Sequence, residues 1–234
     1  MLHYVLLLRI FFLDDLSISY TMVTPAQFSS TNLDSYEVLY IGWDEDADPA
    51  AFSALNSRKS DIGNWVRRGG AIVALSECDV GYFSWLPLPV TIQTLDAEEV
   101  EIVWTSHPVM TDLSDTLLSY WGNSYHNYFT SWDPLYQVVV ESSDVGLPVM
   151  LAAYYGNEVI LITGQDPDYH AYYHSEFGAA ILLINMLSYG CSYRPKSPVG
   201  GELVSGGLPI SMAPYVLLVG AAGTAIILRK KRKL

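Results

Sequence analysis

Two largely unbroken apolar runs, residues 36–43 (YEVLYIGW) and 71–75 (AIVAL), constrain this chain more than any other feature. Short runs without polar alternation, rich in β-branched and aromatic side chains, belong to strands buried on both faces, as in a parallel sheet. The segment between them is patterned as a helix. Asp48 and Pro49 supply an N-cap and a proline at the first position. Phe52, Leu55, Ile62, Trp65 and Val66 mark one face, with a break expected near Asn56 and Ser57. Arg67 and Arg68 fall in the last turn, where cations complement the helix dipole, and Gly69-Gly70 stops it. Strand, helix, strand at this spacing is a βαβ unit, whose right-handed crossover joins two parallel strands.

The rest of the soluble part extends this α/β pattern. Residues 18–23 (ISYTMV) form a short strand closed by Thr24-Pro25, and residues 90–95 and 100–104 are strand candidates beside the main sheet. Residues 105–134, rich in Ser, Trp, Tyr, His and Asn, read mainly as loop and short helix. Strands are expected again at 136–141, 149–155 and 159–163, the last two joined by a tight Gly156-Asn157 hairpin. A helix over 169–189 ends at Gly190. Cys78 and Cys191 do not make a disulfide framework, although they could pair in an oxidising exterior.

The C-terminus carries a different signal. No charged residue stands between Glu202 and Arg229, and residues 215–228 read YVLLVGAAGTAIIL. With Ile210 and Met212 the stretch is just long enough to cross a hydrocarbon core, which needs about 20 helical residues. The tail Arg229-Lys230-Lys231-Arg232-Lys233 then stays cytoplasmic, leaving the domain outside. The expected organisation is an α/β domain over 1–191, a Pro/Gly/Ser linker over 192–208, a single membrane-spanning helix over 209–228 and a basic tail over 229–234. The lipid bilayer is thus a partner through residues 210–228. Removing the five tail cations leaves seven Lys and Arg against 25 Asp and Glu, a formal charge of −18. So acidic a domain is not a nucleic-acid binder; it suits a solvated exterior or cationic ligands. Residues 1–13 (MLHYVLLLRIFFL) contain Arg9 and lack a basic leader and a cleavage site, so they read as a helix of the domain, with the export signal upstream of a truncated start.

In open α/β sheets ligands bind beyond the carboxyl ends of the strands. Three such ends are polar here: Asp44-Glu45-Asp46, Ser76-Glu77-Cys78-Asp79, and Gly164-Gln165-Asp166-Pro167-Asp168-Tyr169-His170. With His107 and His126, which join only if the fold brings them near, these ends make Asp44, Ser76, Glu77, His107, His126, Gln165 and Asp166 the binding candidates, and Glu77, His126, Asp166 and His170 the candidate acid, base or metal residues. His170 and His174 stand four apart and with Asp166 or Asp168 could hold a divalent metal. The plainer reading is that Asp168 caps the helix and the histidines pack among Tyr169, Tyr172 and Tyr173; the Glu of the zinc-protease motif is absent. Cys78 is flanked by Glu77 and Asp79, which oppose thiolate formation and crowd a nucleophile turn. No cofactor is predicted, with a divalent metal as the open alternative.

Residues 36–43, NWVRRGGAIVALSE, Ser106-His107-Pro108-Val109, YYGNEVILITGQDPDYH and FGAAILLINMLSYG together resemble the class I glutamine amidotransferase-like superfamily, and within it the trehalose-utilisation-like domains. The resemblance covers most of residues 36–190. It implies a flavodoxin-like three-layer sandwich with a central, mostly parallel sheet, in which 18–23 is the second strand and the first is missing. Amidotransferases carry a Gly-x-Cys-x-Gly elbow and a His/Glu pair, whereas this chain has Ser76-Glu77-Cys78-Asp79-Val80 and His107-Pro108-Val109. Glutaminase chemistry is therefore not expected. The expected function is a membrane-anchored extracytoplasmic module, non-catalytic, that binds a ligand, a glycan or an envelope protein. The aromatics of WGNSYHNYFTSW would supply stacking surfaces. The alternatives are a hydrolase or isomerase of a small polar or sugar-like substrate, and a structural envelope subunit packing around Gly220 and Thr224 in the membrane.

Overall fold

The computed structural model describes residues 19–42, 48–76, 82–156, 158–192, 215–219 and 226–227. In chain order the strands are β1 (Ser19–Val23), β2 (Val38–Ile41), β3 (Ala71–Leu75), β4 (Val90–Ala97), β5 (Val100–Ile102) and β6 (Tyr125–Trp132). They continue with β7 (Tyr136–Ser142), β8 (Pro148–Tyr155), β9 (Glu158–Thr163), β10 (Tyr215–Val219) and β11 (Ile226–Ile227). The main helices are α1 (Pro49–Ser57), α2 (Lys59–Arg67) and α3 (Phe177–Ser192).

The βαβ unit forms where the residue pattern placed it. Asp48 caps α1, its carboxylate accepting from the Ala50 N–H at 2.8 Å. The expected break falls at Arg58, whose backbone (φ −110°, ψ 12°) leaves the helical region between α1 and α2. Gly69 ends α2 with φ 106°, a conformation that a Cβ disfavours. Strand β3 returns parallel to β2 in the register Val38↔Ala71 to Ile41↔Ala74, and β9 lies parallel on its other side.

Both faces of this sheet are covered, so alternate residues serve different layers. Ala71, Val73 and Leu75 of β3, with Val159 and Leu161 of β9, pack in one core with Leu182, Leu183, Met186 and Leu187 of α3. Ile72, Ala74, Ile160 and Ile162 pack in the other with Leu55 of α1 and Ile62, Trp65 and Val66 of α2. Each of these strand side chains is fully buried, and a buried Val, Leu or Ile contributes about 1.5–3 kcal/mol. The protein is thus an α/β fold with helices on both faces of a mixed sheet.

The sheet is less parallel than expected. Its order is β1-β10-β2-β3-β9-β8-β7-β5, with β11 also pairing β2. The pairs from β1 to β9 are parallel, while β9-β8, β8-β7 and β7-β5 are antiparallel. The cause is local: β8 and β9 meet in the Gly156 turn (φ 71°) and β7 joins β8 by another short turn, and short turns reverse direction. A further departure is β6. Residues 125–132, read as loop, form a strand antiparallel to β4. Tyr125, Asn127 and Phe129 alternate inward, but the polar Asn127 hides the period in the sequence.

The C-terminal apolar stretch is described only at residues 215–219 and 226–227. Its described residues are strands: β10 sits between β1 and β2, parallel to both, and β11 lies antiparallel to β2. In this position the run Tyr215–Val219 joins the β1 and β2 ladders, so its backbone groups pair with neighbouring strands rather than within a helix. Among the described residues no helix is long and apolar enough to cross a membrane. The remainder of 209–228, the basic tail, most of the linker and the predicted helix over 1–13 lie outside the described residues, as does Cys78. Cys191 is buried near the end of α3.

Candidate metal centre

The centre is built where β9 ends. Beyond Thr163, the Thr163 side chain accepts from the Gln165 N–H at 3.0 Å, and the Asp166 carbonyl accepts from the N–H groups of Tyr169 and His170. Pro167 opens a helical turn, Pro167–Tyr169, which continues as a π-helix, His170–His174, closed by Ser175 with φ 57°. Single π turns inside helical segments recur at functional sites. Asp166 occupies the N-cap position, yet its carboxylate makes no capping bond. It points instead toward His170, one turn on, with Asp166 Oδ1 and His170 Nε2 3.3 Å apart.

The third member comes from β6. A Cβ placed on Gly164 would lie 1.9 Å from the Asn127 carbonyl oxygen, so only glycine lets β6 cross the end of β9 this closely. The crossing is held by the His126 N–H donating to the Gly164 carbonyl at 2.8 Å. It brings His126 Nε2 to 3.5 Å from Asp166 Oδ1. The imidazoles of His126 and His170 lie nearly parallel, at 16° with centroids 6.5 Å apart. One donor atom from each of His126, Asp166 and His170 falls within 4.8 Å of the others.

These distances suit a shared ion. Two ligand atoms each about 2.05 Å from a tetrahedral zinc stand about 3.3 Å apart, close to the 3.3 and 3.5 Å found here. The contacts are poor as hydrogen bonds, since neither Asp166 oxygen and neither His170 nitrogen has a partner in acceptable geometry. Both residues are buried, Asp166 completely and His170 to 2% exposure. Leaving a buried polar atom unpaired costs about 1–3 kcal/mol, more for a charged one, and here such atoms stand on two adjoining side chains. Burial pushes the Asp166 carboxyl up, but the adjoining His126 and His170 outweigh it and hold the carboxyl below its ordinary range. Because these contacts are long and badly angled, we take their effect as mainly electrostatic. A carboxylate kept ionised while buried is a ready cation ligand.

The other sequence candidates are dispersed. Asp44 and Glu77 lie outside the described residues. Ser76 is buried at the end of β3, its hydroxyl accepting from Asn127 Nδ2 at 3.2 Å. Gln165 is buried with its amide donating to the Leu118 carbonyl at 3.3 Å. His174 ends the π-helix exposed, its ring 5.3 Å from that of His170, and is not in the three-residue group. His107 is buried between Trp104 and Tyr189, its Nδ1 accepting from the Val109 N–H. Asp168 is buried and accepts from the Tyr40 hydroxyl at 2.7 Å. Asp96 was missed altogether: its carboxylate meets His126 Nδ1 at 2.7 Å. Its sequence signal, an acid in the turn Asp96-Ala97-Glu98-Glu99, is indistinguishable from a solvated loop.

No protein-family model and no curated protein matches this sequence. Among solved structures the chain is similar to the cytoplasmic protein STM3548 from Salmonella typhimurium, with a TM-score of 0.50 and 14% identity over 70% of this chain and 78% of that one. It is also similar to the cytoplasmic protein STM1381 from Salmonella typhimurium LT2, with a TM-score of 0.47 and 16% identity over 70% and 74%. At such identities the likeness to the first concerns the fold alone.

Proposed function

We propose that this protein is a metal-dependent domain in which His126, Asp166 and His170 hold one divalent transition-metal ion that acts on a small polar ligand. The observation that carries the reading is the grouping of donor atoms, with the Asp166 and His170 side chains buried and without hydrogen-bond partners. Two imidazoles and one carboxylate favour zinc, cobalt, nickel, iron or manganese over calcium or magnesium. His126, Asp166 and His170 would hold the ion, which would supply Lewis-acid chemistry and lower the pKa of water for attack on a polar substrate. His126 is the member that reaches solvent, its side chain 12% exposed, so ligand approaches from the β6 side. The class, hydrolase or isomerase on a polar or sugar-like substrate, follows from this chemistry and from the resemblance to trehalose-utilisation-like domains. In that reading the sandwich is of the flavodoxin-like kind, with the site at the carboxyl ends of its strands.

Metal analysis of the purified chain, followed by Zn²⁺ and Co²⁺ titration of the stripped protein, tests this. One equivalent should bind, and Co²⁺ should give the visible bands of a low-coordinate site. His170→Ala removes one of three ligands and is expected to weaken binding at least about 100-fold. Equal binding by the variant, or none by the parent, would sink the reading.

A second reading concerns where the domain resides, and the charge pattern favours it. Residues 203–228 carry no charge and five cations follow directly. In this reading the stretch over 209–228 crosses the bilayer, and the acidic domain faces the exterior, where it binds a ligand, a glycan or an envelope protein. The full chain should then stay in the membrane pellet after alkaline carbonate extraction, and a chain ending at residue 208 should not. Release of the full chain by carbonate would argue for the strand arrangement instead.

A further inference from the structure

We infer that Asp96 is a positioning residue that sets His126 for metal binding, aimed by a bulge in β4; the inference rests on the metal reading above. The strand register supplies the first observation. Thr94 pairs with Asn127 and Ala97 with Tyr125, so β4 advances three residues where β6 advances two. The extra residue falls at Leu95-Asp96, opposite His126. Such bulges re-aim a side chain out of the regular alternation and recur beside active sites. Here the bulge delivers the Asp96 carboxylate to His126.

The contact supplies the second observation. Asp96 Oδ1 lies 2.7 Å from His126 Nδ1, the short distance of a charge-assisted bond. An ionised carboxylate only accepts, so Nδ1 carries the hydrogen and Nε2 presents its lone pair. Nε2 is the atom that faces Asp166 Oδ1, at 3.5 Å. Carboxylate, histidine and metal in series is the usual arrangement by which an outer residue fixes the tautomer and ring orientation of a ligand. Stability does not explain the pair. The Asp96 side chain is 60% exposed, and exposed ion pairs contribute little to folding. Orientation of His126 is what remains for it to do.

The test compares the parent chain with Asp96→Ala and Asp96→Asn. Zn²⁺ affinity is read by competition titration, the His126 tautomer by long-range proton–nitrogen NMR at pH 8 without metal, and folding by urea denaturation. Asp96→Ala should bind Zn²⁺ about 10–100-fold more weakly. Asp96→Asn, which keeps a neutral acceptor, should recover part of that loss. The parent should show His126 protonated at Nδ1, and the alanine variant a mixture of tautomers, with the urea midpoint of both variants unchanged. If the parent binds Zn²⁺ and Asp96→Ala binds it equally well, this inference fails while the metal site stands. If the parent binds no Zn²⁺, both fail. A parent His126 protonated at Nε2 would also overturn the positioning role.

Discussion

Gly164→Ala is expected to separate β6 from the end of β9 and to abolish the metal centre while leaving every proposed ligand in the chain. The added Cβ would stand 1.9 Å from the Asn127 carbonyl oxygen, 2.6 Å from its carbon and 2.9 Å from the Asn127 Cβ. Two of these are rigid backbone atoms, so no side-chain rotation relieves the overlap. Relief requires β6 to move, which breaks the His126 N–H bond to the Gly164 carbonyl and carries His126 away from Asp166. Overpacking of this kind costs about 1–3 kcal/mol or more, and a lost buried hydrogen bond adds about 1 kcal/mol. Urea unfolding should therefore show a loss of roughly 3 kcal/mol, and Zn²⁺ titration a loss of tight binding. Gly146→Ala is the matched control. Gly146 has φ 64° with nothing within 4 Å of a Cβ, so alanine there adds only left-handed strain of about 1–2 kcal/mol and should leave metal binding intact. Retention of Zn²⁺ affinity by Gly164→Ala would show that His126 is not placed by this crossing.

Acid should destabilise the protein through His107 before its carboxylates titrate. His107 is 1% exposed, and burial lowers its pKa from 6.5 to about 4. Above pH 6.5 the ring is neutral in both folded and unfolded chains, and its contribution is complete. As pH falls from 6.5 toward 4, the unfolded chain takes up a proton that the folded chain does not, and stability is lost. At 1.36 kcal/mol per unit the loss approaches about 3 kcal/mol. Asp166 acts in a lower window. Its carboxyl is depressed in the fold, so its stabilisation is present above the ordinary carboxylate pKa and disappears only as pH drops below it. Unfolding free energies measured from pH 7.5 to 4 should thus fall most steeply through the histidine range. His107→Asn keeps an acceptor for the Val109 N–H and removes the titration. It should lower stability at pH 7 through lost ring contacts with Trp104 and Tyr189 and flatten the slope. An unchanged slope in the variant would assign the acid sensitivity to another group.

The βαβ unit was legible because its determinants are local: Asp48 caps, Arg58 breaks, Gly69 stops, and an apolar run of five residues fills β3. The Gly156 turn was legible for the same reason, since turn chemistry resides in adjacent residues. Within the site, Asp166 and His170 could be paired from their spacing, because four residues place two side chains on one face of a helical turn. His174 has the same spacing from His170 and stays out of the group, because the segment is a π-helix that ends exposed at Ser175.

Other features depend on contacts distant in the chain. His126 stands forty residues before Asp166, and its approach depends on Gly164, two residues before Asp166, and on a strand, β6, whose polar inward residue Asn127 conceals its period. The role of Asp96 depends on a bulge, which exists only in the register between two strands. The apolar run at 215–219 satisfies the pattern of a membrane helix and that of a strand alike, because both require little more than continuous hydrophobicity; its pairing with β1 and β2 is a long-range contact that the run itself does not encode. Local sequence therefore determined the α/β class, the limits of the βαβ unit and the nearness of Asp166 to His170, since propensity, capping and turn geometry act over a few residues. The helix expected over 169–189, by contrast, divides into a turn, a π-helix and a helix that runs from Phe177 through Gly190 to Ser192. Tertiary structure alone brought His126 to Asp166 and Asp96 to His126, since each approach depends on backbones that meet across long stretches of chain.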